Sequence, residues 1–140
     1  MAKSAGQSDR GAVFDRLPRG NGPLNAIELG RSTWPLLHRM SLSYPVNPSV
    51  EAKQRMLSFI KGFSLVYPCR TCREDFQQKI REEPPKLDSR QDFALWLCDQ
   101  HNIVNRKLGK KEFKCTVRRL ELLYGRNSLR KPKLGLDGIQ

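Results

Sequence analysis

Three features of the 140-residue chain predict an all-α fold. Apolar residues recur at helical spacings through its middle, capping residues and prolines punctuate those stretches, and no alternating strand pattern of useful length occurs. Four long amphipathic stretches and one short one make this a four-helix bundle with a short fifth helix.

The first helix starts near Asn25 or Ala26 and runs to about Tyr44, with Leu29, Trp34, Leu37, Met40 and Leu42 roughly at helical spacing. Pro35 cannot donate to the carbonyl of Arg31 and should kink it. Asn47-Pro48 reads as an N-cap followed by proline at the first helical position. The second helix carries Met56, Leu57, Ile60 and Phe63 on one face and stops at Pro68. A third begins around Cys69, carries Phe76 and Ile80, and ends before Pro84-Pro85. Asp88 with Gln91, or Ser89 with Asp92, caps the fourth. Its stripe is Phe93, Leu97, Val104 and Leu108, and Gly109 closes it. Thr116 to Tyr124 forms the fifth, with Leu120, Leu123 and Tyr124 before Gly125.

These elements divide the chain into a basic, disordered arm (1–24), one folded domain (25–125) and a loose basic tail (126–140). No run of eighteen apolar residues exists to span a membrane, and the first 24 residues lack the apolar stretch of a secretory signal. The net charge is +12, and the excess of Lys and Arg sits mainly within residues 25–125. Such charge favours non-specific contact with nucleic acid or anionic surfaces. It specifies no nucleic-acid partner, and a phosphate-bearing cofactor would benefit equally.

Chemistry concentrates at the four cysteines. Cys69-x-x-Cys72 followed by Cys98-x-x-His101 has the spacing of a three-cysteine, one-histidine zinc site, which would make a small basic nucleic-acid-binding module. Two features of context point instead to thiol–disulfide chemistry. Cys69 and Cys72 open a helix whose N-terminus favours thiolate, with Arg70 and Arg73 beside them. Cys98 lies inside the fourth helix beside Trp96, and the zinc reading leaves Cys115 unexplained. A Cys98–Cys115 bridge would tie the fifth helix to the fourth and give every cysteine a partner.

The fourth helix has a second informative run. Cys98, His101, Asn105 and Leu108 share a face that leads to Lys107, Lys110 and Lys111. An apolar groove ending in polar donors and positive charge suits an aromatic cofactor with a pyrophosphate. On spacing alone the plainer reading is preferred: a solvated helix end here, and core packing for Trp34 and His38.

The pieces "ELGRSTWPLLH", Tyr44-Pro45, "YPCRTC" and "WLCDQHNIVNRKLGK..F.C" change that preference. Together, over about residues 26–115, they resemble the FAD-linked sulfhydryl oxidases of the Erv/ALR family. The resemblance implies a helical bundle holding FAD at its mouth, with Cys69 and Cys72 as the redox pair and Cys98–Cys115 as a structural disulfide. It assigns Gly30, Arg31, Trp34, His38, Tyr44 and Asp75 to cofactor-facing positions. His101, Asn102, Val104, Asn105, Lys107 and Lys110 match the segment around the adenosine and phosphate portions, and no metal is implied. Reduced dithiol proteins are the implied clients and O2 or cytochrome c the acceptor, giving H2O2 in the first case. The implied state is a homodimer, here without an intersubunit disulfide, since the stapling cysteines and the shuttle pair common in the family are absent from the four present. The mitochondrial intermembrane space is the expected location, or host cytoplasm for a viral protein. Glu121-Leu122 replaces an Arg-Trp pair typical of the family.

Overall fold

In a computed structural model, which describes residues 25–126, five helices and no strands are found: α1 (Ala26–Ser41), α2 (Val50–Val66), α3 (Arg70–Glu82), α4 (Arg90–Lys107) and α5 (Val117–Tyr124). The all-α expectation holds among the described residues. The arm at 1–24 and all but Arg126 of the tail lie outside them.

Each helix starts where a side chain satisfies its free N–H groups. Asn25 and Glu28 form a reciprocal capping box: Asn25 Oδ1 accepts from the Glu28 N–H at 2.9 Å and Glu28 Oε2 from the Asn25 N–H at 3.1 Å. α1 passes through Pro35 without interruption and ends at Ser41, earlier than Tyr44, where Leu42, Ser43 and Tyr44 turn back on its last carbonyls. The cap of α2 is Ser49, whose Oγ accepts from Ala52 at 3.1 Å, not Asn47. Pro48 therefore precedes the cap, where its fixed φ and missing N–H cost no helical bond. Of the two pairs considered for α4, Ser89 and Asp92 form the cap. Gly109 follows its C-terminus at φ 66°, the left-handed conformation that glycine adopts without a Cβ penalty.

α1 packs against α4, α2 against α3, and α5 lies over both α1 and α4. The single stripe expected on α4 is too narrow. Its Phe93, Trp96 and Leu97 join Tyr44, Ile60, Ile80 and Leu87 in one core, while Ala94 and Cys98 join Leu120 in another. Leu108 is 56% exposed and belongs to neither. Polar anchors fix the loops around this helix. Tyr44 Oη donates to the Leu87 carbonyl at 3.0 Å, and Trp96 Nε1 donates to Glu83 at 3.1 Å. Asn102 grips Phe113 twice, donating to its carbonyl at 2.7 Å and accepting from its N–H at 2.8 Å. The Cys98–Cys115 disulfide then ties the segment leading into α5 back to α4.

The α1–α4 seam contains a buried polar contact. His38 Nε2 and His101 Nδ1 lie 2.9 Å apart, with His38 1% and His101 6% exposed. Burial, assisted by the neighbouring His101, pushes His38 down from 6.5 to about 3. Burial and the charge of Lys110 push His101 down to about 4. Both rings are neutral at pH 7.

Two outcomes follow from this packing. Cys98 and Cys115 close an 18-residue loop counting both ends, worth about 3 kcal/mol by chain entropy. Cys115→Ala should lower Tm by roughly 15 °C in differential scanning calorimetry. The histidines make stability acid-sensitive. The unfolded rings take protons near 6.5 and the folded ones only near 3 and 4, so acid favours the unfolded chain. Their contribution is complete above pH 6.5 and declines as pH falls through the window below it. By pH 5 each should have cost about 2 kcal/mol, read as a lower urea midpoint.

Candidate functional site

α1, α3 and α4 together wall a groove of about 420 Å³. Helical periodicity explains which side chains reach it. From α1 come Ile27, Gly30, Arg31, Trp34 and Leu37; from α3, Thr71, Cys72, Asp75, Phe76 and Lys79. α4 contributes Gln100, His101, Ile103, Val104, Asn105, Lys107 and Leu108, and Lys110 follows at the rim. Phe63 and Tyr67 close it from the end of α2, where Tyr67 Oη contacts Thr33 Oγ1 of α1 at 3.4 Å.

The Cys69–Cys72 disulfide stands at one edge. Cys69 is the N-cap of α3, and its Sγ accepts from the Cys72 N–H at 3.4 Å. An anion on Cys69 would therefore meet both this donor and the positive end of the helix. Of the pair, Cys72 lines the groove and Cys69 stands outside the lining. Arg70 does not act as a bare charge beside them, since it pairs with Glu74 at 3.0 Å one turn along the helix.

At another wall, the Trp34 and His101 rings stack at 4.2 Å with 6° between their planes. Behind them His38 holds the far side of His101 and itself stacks on Tyr124 of α5 at 4.5 Å. The groove rim is cationic on balance. Arg31, Lys79, Lys107 and Lys110 reach it against Asp75, which pairs with Lys107.

Of the residues singled out in the sequence, Gly30, Arg31, Trp34, Cys72, Asp75, His101, Val104, Asn105, Lys107 and Lys110 meet at this groove. Cys69, His38, Tyr44 and Asn102 do not line it. His38 backs His101, Tyr44 is in the core against Phe93, and Asn102 holds the loop at Phe113. The sequence reading placed Leu108 on the groove face but missed the other apolar walls: Ile27, Leu37, Phe63, Phe76 and Ile103. Some had been assigned to the core, whose periodicity they share. The available signal was breadth: Ile103, Val104 and Leu108 extend the apolar arc of α4 past what one packed face needs.

The zinc reading does not survive this geometry. Cys98 pairs with Cys115 and Cys69 with Cys72, while His101 bonds His38. Among the described residues no group of three or more His, Cys, Asp or Glu is arranged to hold a metal ion.

Comparison with known proteins agrees with the fold. Residues 31–124 match the model of the Erv1/Alr family. The mitochondrial FAD-linked sulfhydryl oxidase ERV1 of Saccharomyces cerevisiae is 44% identical over 93 residues, covering 66% of this chain and 49% of that protein. The FAD-linked sulfhydryl oxidase ERV1 of Arabidopsis thaliana is 34% identical over 120 residues, covering 86% and 62%. The chain thus spans about half the length of the yeast protein and somewhat more of the plant one. Among solved structures, the yeast Erv1 core superposes with a TM-score of 0.71 at 40% identity, covering 78% of this chain and 91% of that one. The FAD-binding domain of Erv1 from Saccharomyces cerevisiae gives 0.69 at 40% identity, covering 74% and 96%. A family match over most of the chain, carried by the same helical core, establishes that this chain belongs to the Erv1/Alr family.

Proposed function

We propose that this chain is an FAD-dependent sulfhydryl oxidase that makes disulfides in dithiol clients through Cys69 and Cys72. The observation that carries this reading is the division within the pair: Cys72 opens on the groove and Cys69 does not. One sulfur can meet a client while the other stays beside a bound cofactor.

The groove's residues fit FAD. Apolar walls accept a flat ring system, and the Trp34–His101 stack supplies an aromatic face. Gly30 lines the groove without adding a side chain to it. Arg31, Lys107 and Lys110 would meet the pyrophosphate, with Val104 and Asn105 along the wall. His38, Tyr44 and Asn102 would serve from behind it, by holding His101 and the loops. FAD held here would supply a two-electron acceptor for the reduced pair, with O2, giving H2O2, or cytochrome c as the final acceptor.

The chain's own chemistry is thiol–disulfide exchange. A client thiolate attacks Cys69 Sγ, the Cys69–Cys72 bond breaks, and Cys72 departs as a thiolate at the groove wall. The client's second thiol, losing its proton to solvent, attacks the client sulfur of the mixed disulfide. Cys69 departs in turn, stabilised by the Cys72 N–H and the α3 N-terminus, and the client leaves as a disulfide. The client has lost two electrons and two protons, and the pair holds the two electrons.

A homodimer without an intersubunit disulfide is consistent with two observations. All four cysteines are paired within the chain, and Leu36, Phe59, Leu65 and Val66 leave apolar surface exposed on α1 and α2. The mitochondrial intermembrane space is the proposed location, in keeping with yeast relatives named as mitochondrial.

Purified protein should carry flavin absorbance and consume oxygen when given dithiothreitol or a reduced dithiol protein. Cys72→Ser should keep its flavin and lose oxygen consumption to background, because no thiolate remains at the groove. Cys69→Ser should also fail to turn over, while showing a long-wavelength thiolate–flavin charge-transfer band from Cys72. Turnover of either variant at the parent rate, or protein that binds no flavin, contradicts the reading.

A further inference from the structure

Among the described residues, one buried side-chain nitrogen or oxygen has no hydrogen-bond partner: His38 Nδ1. Its neighbour on the same ring, Nε2, faces His101 Nδ1 at 2.9 Å. Two neutral rings share that contact, so one of the two facing nitrogens carries a proton and the other accepts it. The orphan decides which. Were His101 Nδ1 the donor, His38 would have to keep its proton on Nδ1, burying an N–H with nothing to receive it. A bare buried acceptor is the more tolerable defect, since orphaned N–H groups are the rarer kind in proteins.

We infer that His38 is a positioning residue that donates from Nε2 to His101 Nδ1, holding His101 in the tautomer with its proton on Nε2, so that the groove receives a hydrogen-bond donor at that wall. His101 Nε2 differs from the orphan in being neither sealed from solvent nor bonded within the protein. The groove accordingly favours a ligand that presents a ring nitrogen or oxygen acceptor in the plane beside the Trp34 stack. Trp34 fixes the tilt of the imidazole at 6° to its own plane, and Tyr124 of α5 stacks on His38 from the other side. Lys110 is the charged group acting on His101, and it opposes the doubly protonated ring that would erase the selection. Arg39 holds α5 in place by donating to the carbonyls of Tyr124 and Gly125 at 3.2 and 3.3 Å.

This inference rests on the FAD reading for its ligand, but not for its tautomer. The test therefore has two arms on the 140-residue chain. Long-range proton–nitrogen NMR of the imidazoles, with FAD removed, should show His101 protonated on Nε2. Gln places its amide nitrogen near the position of His Nε2 and can donate as His38 does, whereas Asn reaches only the Nδ1 position. His38→Gln should keep the Nε2–H tautomer, while His38→Asn should give a mixture. In the second arm FAD is titrated into each apoprotein. His38→Asn should bind about tenfold more weakly, the scale of one lost hydrogen bond, with His38→Gln restoring most of the affinity. A wild-type His101 protonated on Nδ1 overturns the inference even if FAD binds. So does a folded His38→Asn variant with unchanged affinity. Should that variant fail to fold, the wild-type and His38→Gln spectra still decide the tautomer. Failure of wild-type protein to bind FAD would sink the oxidase reading and the ligand half of this one, leaving the tautomer result standing.

Discussion

Everything at the site depends on where α3 begins. With Cys69 as the N-cap, three residues of helix bring Cys72 to the groove, and further steps of three and four bring Asp75, Phe76 and Lys79 to the same wall. Sliding the sequence by one residue along this helix would rotate Cys72 by about 100° and take its sulfur off that face. The N-cap also gives Cys69 a backbone donor that a mid-helix cysteine would lack. One choice of helix start thus sets both the placement of the pair and its value as a leaving group.

The second disulfide shows the opposite arrangement. Cys98 is 1% exposed and packed with Ala94 and Leu120, while its half-buried partner Cys115 belongs to the segment that Asn102 holds. Attack on Cys98 would require that corner to open, and the Asn102 contacts with Phe113 and Cys115 hold it together. In the proposed mechanism this separates a bond that opens in every cycle from one that stays closed. The neutral histidine pair contributes to the same seam, trading acid sensitivity for a polar contact buried in an aromatic stack.

Much of this was legible in the sequence, because its signals are local. Helix periodicity, the cap at Asn25, the glycine at 109 and the CxxC at a helix start each follow from a few neighbouring residues. The misplaced cap of α2 shows the limit. Asn47-Pro48 satisfies the local rule as well as Ser49 does, and the packing of α2 chooses between them. Likewise Leu108 carries the periodicity of the core but overhangs the groove, since period alone cannot say what a face packs against. The His38–His101 contact joins residues 63 positions apart, and no local pattern announces it. Recognising the combined motifs recovered most groove positions, while the apolar walls required the packed helices.

The central claim is that the two disulfides differ in accessibility and job. The most direct measurement is limiting reduction of native protein under anaerobic conditions, followed by alkylation of the exposed thiols and peptide mass mapping. The account predicts that Cys69 and Cys72 are labelled first and together, while Cys98 and Cys115 stay joined until the chain is denatured. Labelling of Cys98 and Cys115 as early as the other pair would contradict it.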